Sequence, residues 1–410
     1  MKSAILSVGT ELLFGQVVNT NAAFLSQQLN HLGIDVMYHY TVGDNPQRLR
    51  DMIEMAFEDC DLVITTGGLG PTQDDMTKEI ACETLGDELV LHQESMDQLE
   101  EMFRKGNRVM TENNRKQAWM PSRATVFDND AGTAPGFALE RDGKIIACLP
   151  GPPREMKRMF ERRLKPYLES LSDDAIYYRQ IRTFGIGESQ LETKLLPLIN
   201  VQTDPTIATY AKEGESAVRI ASKRKTKEEA KAAVDAMLEE VKEYIGEYIY
   251  SCDDEELVNV VANKLMDRGL TLSCTESCTG GLFASRMTDI AGISKVFNRG
   301  LVTYSNEAKI QELGVRPETL EKFDAVSEET AREMAEGLAS VSGSDVCISV
   351  TGIAGPDGGT EEKPVGTVFV GLRYAGETHC IRLQIRNVNR QYIRNYTVLH
   401  MLDLINRIVK

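Results

Sequence analysis

The sequence has no long apolar run. None of its segments approaches the roughly 18 consecutive apolar residues that a membrane-spanning helix requires. The N-terminal stretch MKSAILSVGTELLFG also lacks the charged, apolar and small-residue regions of a secretory signal. We therefore expect a protein that makes no membrane contact and stays in the cytoplasm.

Histidine is scarce, and the cysteines do not show metal-binding spacing. Only five histidines are present and none lies in a glycine-rich turn, which disfavours a histidine-based nucleophilic site. The eight cysteines never form the CxxC pair that is typical of zinc and redox sites. We expect reduced thiols, most of them acting as small core residues in apolar strands.

Positive charge is in deficit. The chain has 46 Lys and Arg against 62 Asp and Glu, which gives a formal net charge of −16. Such a surface repels a polyphosphate backbone, so nucleic-acid binding is disfavoured. Small anionic ligands remain compatible with this charge if arginines and helix N-termini gather locally.

The length predicts more than one domain. The 410 residues exceed the size of about 250–300 residues at which a single core stops growing. Because 42% of the residues are hydrophobic, each domain can bury a sizeable core. We expect two or three domains.

The first 170 residues alternate between strand and helix patterns. This alternation predicts an α/β domain with a parallel sheet, in which ligands bind at the carboxyl ends of the strands. One apolar strand ends in Gly67, Gly68 and Gly70, where backbone without side chains can approach a ligand closely. The strand patterns lie at residues 2–8, 34–40, 61–66 and 144–149, and the helix patterns at 19–32, 46–58 and 154–168.

The pattern of predicted strands and helices changes twice along the rest of the chain. Residues 171–251 have strand patterns and a long helix pattern at 227–245, which indicates a small α+β module. From residue 252 to 410 the strand and helix patterns alternate again. The sequence thus predicts two α/β domains, at 1–170 and 252–410, joined by a small α+β module.

The third segment, residues 252–410, contains the motif TESCTGG at residues 275–281, between a predicted strand and a predicted helix. Backbone amides at such a junction can face an anion or a developing oxyanion, and Ser277 and Thr279 place hydroxyls in the turn. A purely structural helix cap, with Gly280 and Gly281 permitting a tight turn, explains the same residues. The heptapeptide alone does not separate these interpretations.

A second motif, VTYSNEAK at residues 302–309, follows the next strand. Lys309 could serve as a base if burial lowers its pKa, and serine with lysine is a known alternative to serine with histidine. A tyrosine or lysine after a strand is also common at an ordinary surface. We expect Tyr304 and Lys309 to belong to a functional site because the other motifs of this segment also follow strands.

A third motif, SVTGIAGPDGG at residues 349–359, runs from an apolar strand into a glycine-rich loop. Three loops that follow strands of one α/β domain are expected to meet at one edge of the sheet. Their convergence predicts a single site. Because that site would bring together Ser277, Lys309 and a glycine-rich loop, we expect an enzyme.

Together these strings resemble the CinA family, and the resemblance covers essentially the whole chain. ESCTGG, VTYSNEAK, TGIAGPDGG and KPVGTV (residues 363–368) are similar to the family's C-terminal nicotinamide mononucleotide deamidase domain. VGTELL (8–13), TGGLGPTQDD (66–75), GTAPG (132–136) and LPGPP (149–153) are similar to its N-terminal domain of molybdopterin-binding fold. FGIGES (184–189) resembles its KH-like middle module.

The resemblance implies the chemistry of the C-terminal domain. Ser277 would attack the carboxamide of nicotinamide mononucleotide, with Lys309 as general base and Tyr304 assisting proton transfer or orienting the pair. Backbone amides near Gly280 and Gly281 would bind the oxyanion, and no cofactor is implied.

The resemblance also implies residues that bind the nucleotide. Thr279, Gly280, Gly281, Thr351 and Gly352 are expected to contact the substrate. Arg390, at the end of RNVNR, would hold the phosphate bidentately. A surface salt bridge is the structural alternative for Arg390.

For the N-terminal domain the resemblance implies hydrolysis of ADP-ribose to AMP and ribose 5-phosphate with a divalent, magnesium-type ion. Gly67, Gly68 and Gly70 would admit the diphosphate. The aspartates before the following helix could equally be N-terminal caps. The expected metal ligands are Asp74, Asp75 and Glu11, with Asp44 as a further carboxylate.

Two other functions stay open. The N-terminal domain could be a non-catalytic nucleotide- or molybdopterin-binding module, or the whole chain a competence-associated interaction protein. Nucleic-acid binding by the middle module is disfavoured, because Gly185-Ile186-Gly187-Glu188 is acidic where a KH loop is basic. From the resemblance and the broad apolar surfaces of its α/β domains we expect a homodimer.

Overall fold

The structure is a computed structural model that describes residues 1–107, 109–171 and 175–409. The chain forms two compact units, one of residues 1–177 and 223–230, the other of residues 178–222 and 231–410. Across the described residues no helix is both long and apolar enough to cross a membrane.

A six-stranded sheet forms the centre of the first unit. The strands of this unit are β1 (Lys2–Val8), β2 (Asp35–Val42), β3 (Leu62–Thr66), β4 (Leu89–Leu91), β5 (Trp119–Pro121), β6 (Thr125–Phe127), β7 (Gly136–Arg141) and β8 (Lys144–Leu149). The sheet has the order β2-β1-β3-β8-β7-β6. Its first four strands are parallel, as predicted, while β7 and β6 are antiparallel additions.

Helices cover both faces of this sheet. Ile53 lies in the apolar core on one face, and Leu25 and Phe160 lie in the core on the other. The starts of two helices follow from local sequence, because the Asn19 and Asn45 side chains accept hydrogen bonds from the backbone N–H groups three residues later. The helices are α1 (Thr10–Leu13), α2 (Thr20–His31), α3 (Pro46–Asp59), α4 (Thr77–Thr84), α5 (Gln93–Lys105), α6 (Glu112–Arg115), α7 (Pro153–Met159) and α8 (Lys165–Ser170), with a π-helical turn at Phe160–Leu164.

The middle of the chain forms the predicted α+β module. Its strands are β9 (Ala175–Thr183), β10 (Thr206–Lys212), β11 (Glu215–Arg224) and β12 (Ile249–Ser251), in the sheet order β10-β11-β9-β12. Its helices are α9 (Glu188–Ile199) and α10 (Lys227–Ile245). Most of the module, residues 178–222 and 231–251, belongs to the same compact unit as the C-terminal residues.

The C-terminal part is a five-stranded α/β fold. Its strands are β13 (Leu272–Glu276), β14 (Phe297–Val302), β15 (Val346–Gly352), β16 (Thr367–Tyr374) and β17 (Glu377–Gln384), in the order β14-β13-β15-β16-β17. The first three strands of that order are parallel, and β16 and β17 are antiparallel. The helices are α11 (Leu257–Arg268), α12 (Leu282–Thr288), α13 (Asn306–Leu313), α14 (Pro317–Phe323), α15 (Glu328–Ser342) and α16 (Arg390–Ile408).

Candidate active site

The candidate site lies where β13, β14 and β15 end side by side. Glu276, the last residue of β13, is in register with Val302 of β14 and Val350 of β15. Because the three strands are parallel, the loops that follow them lie at one edge of the sheet, as predicted. The three sequence motifs therefore meet.

Ser277 is the first residue after β13 and is held by backbone hydrogen bonds. Its N–H donates to the Val350 carbonyl at 3.1 Å, and its carbonyl accepts from the Gly280 N–H at 3.1 Å. Its Oγ lies 3.4 Å from Nζ of Lys309. The hydroxyl of the predicted nucleophile and the amine of the predicted base are thus adjacent.

Lys309 is almost completely buried, with 1% of its surface exposed. Its Nζ donates to the Thr303 carbonyl at 2.9 Å and to the Tyr304 carbonyl at 3.0 Å. Burial lowers the pKa of this amine, because desolvation penalises the charged form. A larger fraction of such a lysine is neutral near physiological pH than of one at the surface, and only the neutral amine can act as a base.

The position of Lys309 follows from the start of α13. Ser305 caps this helix by accepting from the Ala308 N–H, so Lys309 lies in the first turn. Helical side chains lean toward the helix N-terminus, which returns the amine to the carbonyls at the end of β14. A lysine one turn later on the helix would not reach them.

Glu276 caps the helix that follows the nucleophile. Its fully buried carboxylate accepts hydrogen bonds from the N–H groups of Gly281 (3.1 Å), Phe283 (3.1 Å) and Ala284 (2.9 Å). The Gly280 N–H is also engaged, with the Ser277 carbonyl. The N–H groups of Gly280 and Gly281 themselves thus already have acceptors within the protein, and an oxyanion site formed by backbone amides near them stays a prediction.

The two glycines instead shape the turn. Gly280 and Gly281 have φ angles of 57° and 88°, in the left-handed region that glycine adopts without strain. The helix that follows this turn, α12, begins at Leu282. Direct contact of either glycine with substrate stays a prediction.

Thr279 is buried, and its hydroxyl has no hydrogen-bond partner among the residues that the structure describes. A buried hydroxyl without a partner is costly, and its satisfaction by a ligand is one explanation. The Thr279 carbonyl accepts from Arg394 at 2.6 Å. Thr279 therefore remains a candidate substrate contact.

Thr351 and Gly352 have structural contacts. The Thr351 hydroxyl donates to the Ala325 carbonyl at 2.8 Å and so fixes the segment before α15. A Cβ on Gly352 would lie 2.7 Å from Cγ2 of Val368 and 2.9 Å from the Thr367 carbonyl oxygen. Close packing of β15 on β16 explains the glycine, and a substrate role for either residue stays a prediction.

Two arginines at the start of α16 complete the site. Arg390 donates to the Gly355 carbonyl at 2.6 Å and to the Tyr304 hydroxyl at 3.3 Å. Within the part of the chain that the structure describes, Arg390 forms no ion pair with a carboxylate, so the surface salt bridge is not formed. Tyr304 is 60% exposed, and the contact it makes with Lys309 is through its carbonyl.

Arg394 was missed by the sequence reasoning. It lies one helical turn after Arg390, and its guanidinium reaches the Thr279 carbonyl beside the nucleophile. The signal was present, because arginines at positions i and i+4 after a capping Asn389 share one helix face.

The glycine-rich segment of the N-terminal unit forms a tight turn, and its contact with a ligand stays a prediction. Gly67 and Gly68 follow β3 with φ angles of 108° and 70°. A Cβ on Gly67 would meet the Val8 carbonyl, and one on Gly68 would meet the Thr77 hydroxyl. A Cβ on Gly70 would lie 2.5 Å from an Asp75 carboxylate oxygen. Gly67 and Gly68 are therefore needed for the turn, whereas a side chain at Gly70 would require only a shift of the Asp75 carboxylate.

The predicted carboxylate cluster is not formed. Among the described residues no group of three or more His, Cys, Asp or Glu side chains could hold a metal ion. Asp75 accepts from the Thr72 N–H at 3.0 Å, and Asp44 accepts from the Thr10 N–H at 3.1 Å. These residues do not fit a metal site built from protein ligands alone, so metal binding by Glu11, Asp74 or Asp75 stays a prediction.

Two lysines beside the glycine turn were also missed. Lys78 is buried, its pKa is lowered to about 8 by desolvation, and its Nζ donates to the Lys116 carbonyl at 2.6 Å. Nζ of Lys116 lies 3.3 Å from a Glu79 carboxylate oxygen and 3.5 Å from the Thr72 carbonyl oxygen. They place positive charge next to the turn.

Three family models match successive parts of the chain. The probable molybdopterin binding domain matches residues 4–170, the damage-inducible protein CinA KH domain matches residues 178–251, and the CinA C-terminal domain matches residues 254–409. The chain therefore combines a molybdopterin-binding-like domain, a KH module and a CinA C-terminal domain.

Related proteins share this whole arrangement. A protein of Acetivibrio thermocellus named "Putative competence-damage inducible protein" is 51% identical over 409 residues, covering 100% of this chain and 99% of that protein. The CinA-like protein of Dictyoglomus turgidum is 49% identical and covers 99% of each chain. The crystal structure of the competence/damage inducible protein CihA from Agrobacterium tumefaciens is 41% identical over 38% of this chain and 94% of its own, with a TM-score of 0.37. At this identity over the full length of its relatives, the chain belongs to the CinA family.

Proposed function

We propose that the C-terminal domain hydrolyses the carboxamide of nicotinamide mononucleotide to the carboxylate and ammonia. The observation that carries the proposal is the contact between the Ser277 hydroxyl and the buried amine of Lys309. Arg390 and Arg394 add two positive charges beside this pair, which suits a substrate that bears a phosphate.

The chemistry follows from the hydrogen bonds of Lys309. In its neutral form the amine has two N–H groups, which donate to the two nearest carbonyls, those of Thr303 and Tyr304, while the Ser305 carbonyl lies further away at 3.4 Å. The remaining lone pair is then free to take the Ser277 proton as Oγ attacks the carboxamide carbon. Collapse of the tetrahedral intermediate expels ammonia, which takes the proton from Lys309 and leaves an ester on Ser277.

Deacylation reverses the roles. Lys309 takes a proton from a water molecule, whose oxygen attacks the ester carbon. The C–O bond to Ser277 breaks, the serine hydroxyl regains the proton, and the substrate leaves as nicotinic acid mononucleotide. One base thus serves both half-reactions.

The two arginines support recognition of the nucleotide phosphate. The N-terminus of α12, an ordinary anion-binding position, is already neutralised by Glu276. We therefore assign recognition of the phosphate to side chains. Arg390 and Arg394 lie on one helix face, and both reach loops of the site.

Ammonia release from nicotinamide mononucleotide tests the proposal. We expect turnover by the full-length protein, and a loss of at least about 1,000-fold in Ser277→Ala, since an acyl-enzyme route has no substitute for its nucleophile. Ser285→Ala is the matched control, because Ser285 is exposed on α12. An inactive wild-type protein, or a Ser277→Ala protein with full activity, would overturn the assignment.

We further propose that the N-terminal domain hydrolyses ADP-ribose to AMP and ribose 5-phosphate. The tight turn at Gly67 and Gly68, with Lys78 and Lys116 beside it, supports binding of a diphosphate. AMP formation by full-length Ser277→Ala protein, with and without a chelator, tests both the activity and its need for a divalent metal. Binding of ADP-ribose without AMP would favour the non-catalytic binding module.

A further inference from the structure

The helix that carries the two arginines, α16, contacts the loops of the candidate site on one face and the middle module on the opposite face. Arg390 and Arg394 point to the catalytic loops. Tyr392 and Tyr396 lie two residues further along, which is about 200° around a helix of 3.6 residues per turn. The tyrosines therefore lie on the far side of α16.

That far side packs against the middle module. The ring of Phe184, which follows β9, lies 5.9 Å from the ring of Tyr396 and 4.9 Å from that of His400. Tyr396 in turn lies 4.7 Å from His400 and stacks on Tyr392 at 5.7 Å. Burial lowers the pKa of His400 to about 4, so this ring is an uncharged member of the aromatic cluster at neutral pH.

A second contact comes from the turn between β10 and β11. Gly214 in this turn has a φ angle of 82°, and a Cβ on it would lie 2.8 Å from Cδ2 of Tyr396 and 2.9 Å from Cδ1 of Leu399. The Tyr396 ring cannot move aside easily, because Phe184 and His400 pack against it. A cavity of about 420 Å³ lies beside this contact. The module therefore touches α16 at two separate places, the turn at Gly214 and the aromatic cluster around Phe184, and these two contacts brace the helix.

We infer that the middle module positions the amidase site, with Gly214 and Phe184 acting as positioning residues that fix α16 and thereby Arg390 and Arg394. This inference rests on the proposed amidase function only for its consequence in catalysis. Neither residue is expected to touch the substrate. Displacement of α16 weakens phosphate binding and leaves Ser277 and Lys309, which are on other elements, in place.

Gly214→Ala and Gly376→Ala form a matched pair for the test. Gly376 lies in the turn between β16 and β17 with a φ angle of 87°, and a Cβ on it meets nothing within 4 Å. Both substitutions impose the same backbone strain, but only the first pushes against α16. In full-length protein we expect Gly214→Ala to raise KM for nicotinamide mononucleotide about tenfold with kcat within about twofold, and Gly376→Ala to match the wild type.

Nicotinamide riboside, which lacks the phosphate, gives the second readout. Its kcat/KM should be the same in the wild type and both variants, because the arginines have no phosphate to bind. If the riboside is affected as much as the nucleotide, or if folded Gly214→Ala has the KM of Gly376→Ala, the positioning role is wrong. Phe184→Leu provides an independent variant, for which we expect the same pattern without added backbone strain.

Hydrogen exchange separates failure of this inference from failure of the proposed function. Amides in the first two turns of α16 should exchange faster in Gly214→Ala than in Gly376→Ala, whatever the protein acts on. Equal exchange would reject the bracing of α16. If the wild-type protein releases no ammonia but α16 still exchanges faster in Gly214→Ala than in Gly376→Ala, the bracing of α16 is retained and only the amidase function is rejected.

Discussion

Burial of the Lys309 side chain changes the protonation of its amine. Desolvation lowers its pKa, so a larger fraction of the amine is neutral near physiological pH than for an exposed lysine. Because the neutral form is the base, amidase activity should fall as the pH drops through this lowered value. A pH profile of kcat/KM should therefore show an acidic limb with its midpoint below the ordinary lysine pKa of 10.5. A midpoint at or above that value would argue against Lys309 as the base.

Replacing Lys309 distinguishes its basicity from its charge. Lys309→Arg keeps a positive charge that cannot be lost, so we expect activity to fall about 100- to 10,000-fold at every pH. Lys295→Met, at an exposed lysine of the same domain, should retain wild-type activity. Residual activity in Lys309→Arg that still rises with pH would assign the base elsewhere.

At the scale of an element, α12 depends on one buried carboxylate. Glu276 accepts three backbone hydrogen bonds at the start of this helix, and its burial is complete. In Glu276→Gln the side-chain NH₂ must face one of these N–H donors. We expect a loss of about 1–3 kcal/mol in the free energy of unfolding, measured by urea denaturation.

An exposed acidic residue at another helix start is the control for Glu276. Glu328 lies in the first turn of α15 and pairs with Arg332 at the surface. Glu328→Gln should change the free energy of unfolding by less than about 1 kcal/mol. Equal losses in the two variants would mean that the capping of α12 is not special to Glu276.

At the scale of the whole molecule, the two proposed sites are carried by different compact units. Ser277 and Lys309 belong to the second unit, and Gly67, Gly68 and Lys78 to the first. Ser277→Ala should therefore abolish ammonia release and leave ADP-ribose binding unchanged, as titration calorimetry would show. A shift of more than about tenfold in the Kd for ADP-ribose would reveal coupling between the sites.

Much of the fold could be predicted because its signals are local. Apolar strand runs, glycine turns and capping residues such as Asn19 and Ser305 depend on neighbours within a few positions. The α/β character, the α+β middle module and the meeting of three loops at one sheet edge were predictable for this reason. Ser277 was a candidate because it lies directly after a strand, and Lys309 because it lies in the motif that follows the next strand.

The tertiary structure decided which atoms are available for function. That Glu276 takes up the amides of α12, that Arg394 reaches Thr279 and that Gly214 packs on Tyr396 depend on residues distant in sequence. The carboxylates expected to bind metal likewise do not gather, because hydrogen bonds of Asp44 and Asp75 fix them elsewhere. The sequence by itself determined the elements and the candidate site residues, since periodicity and turn chemistry are short-range. Only folding determined their partners, since burial and hydrogen bonding join groups that the chain keeps apart.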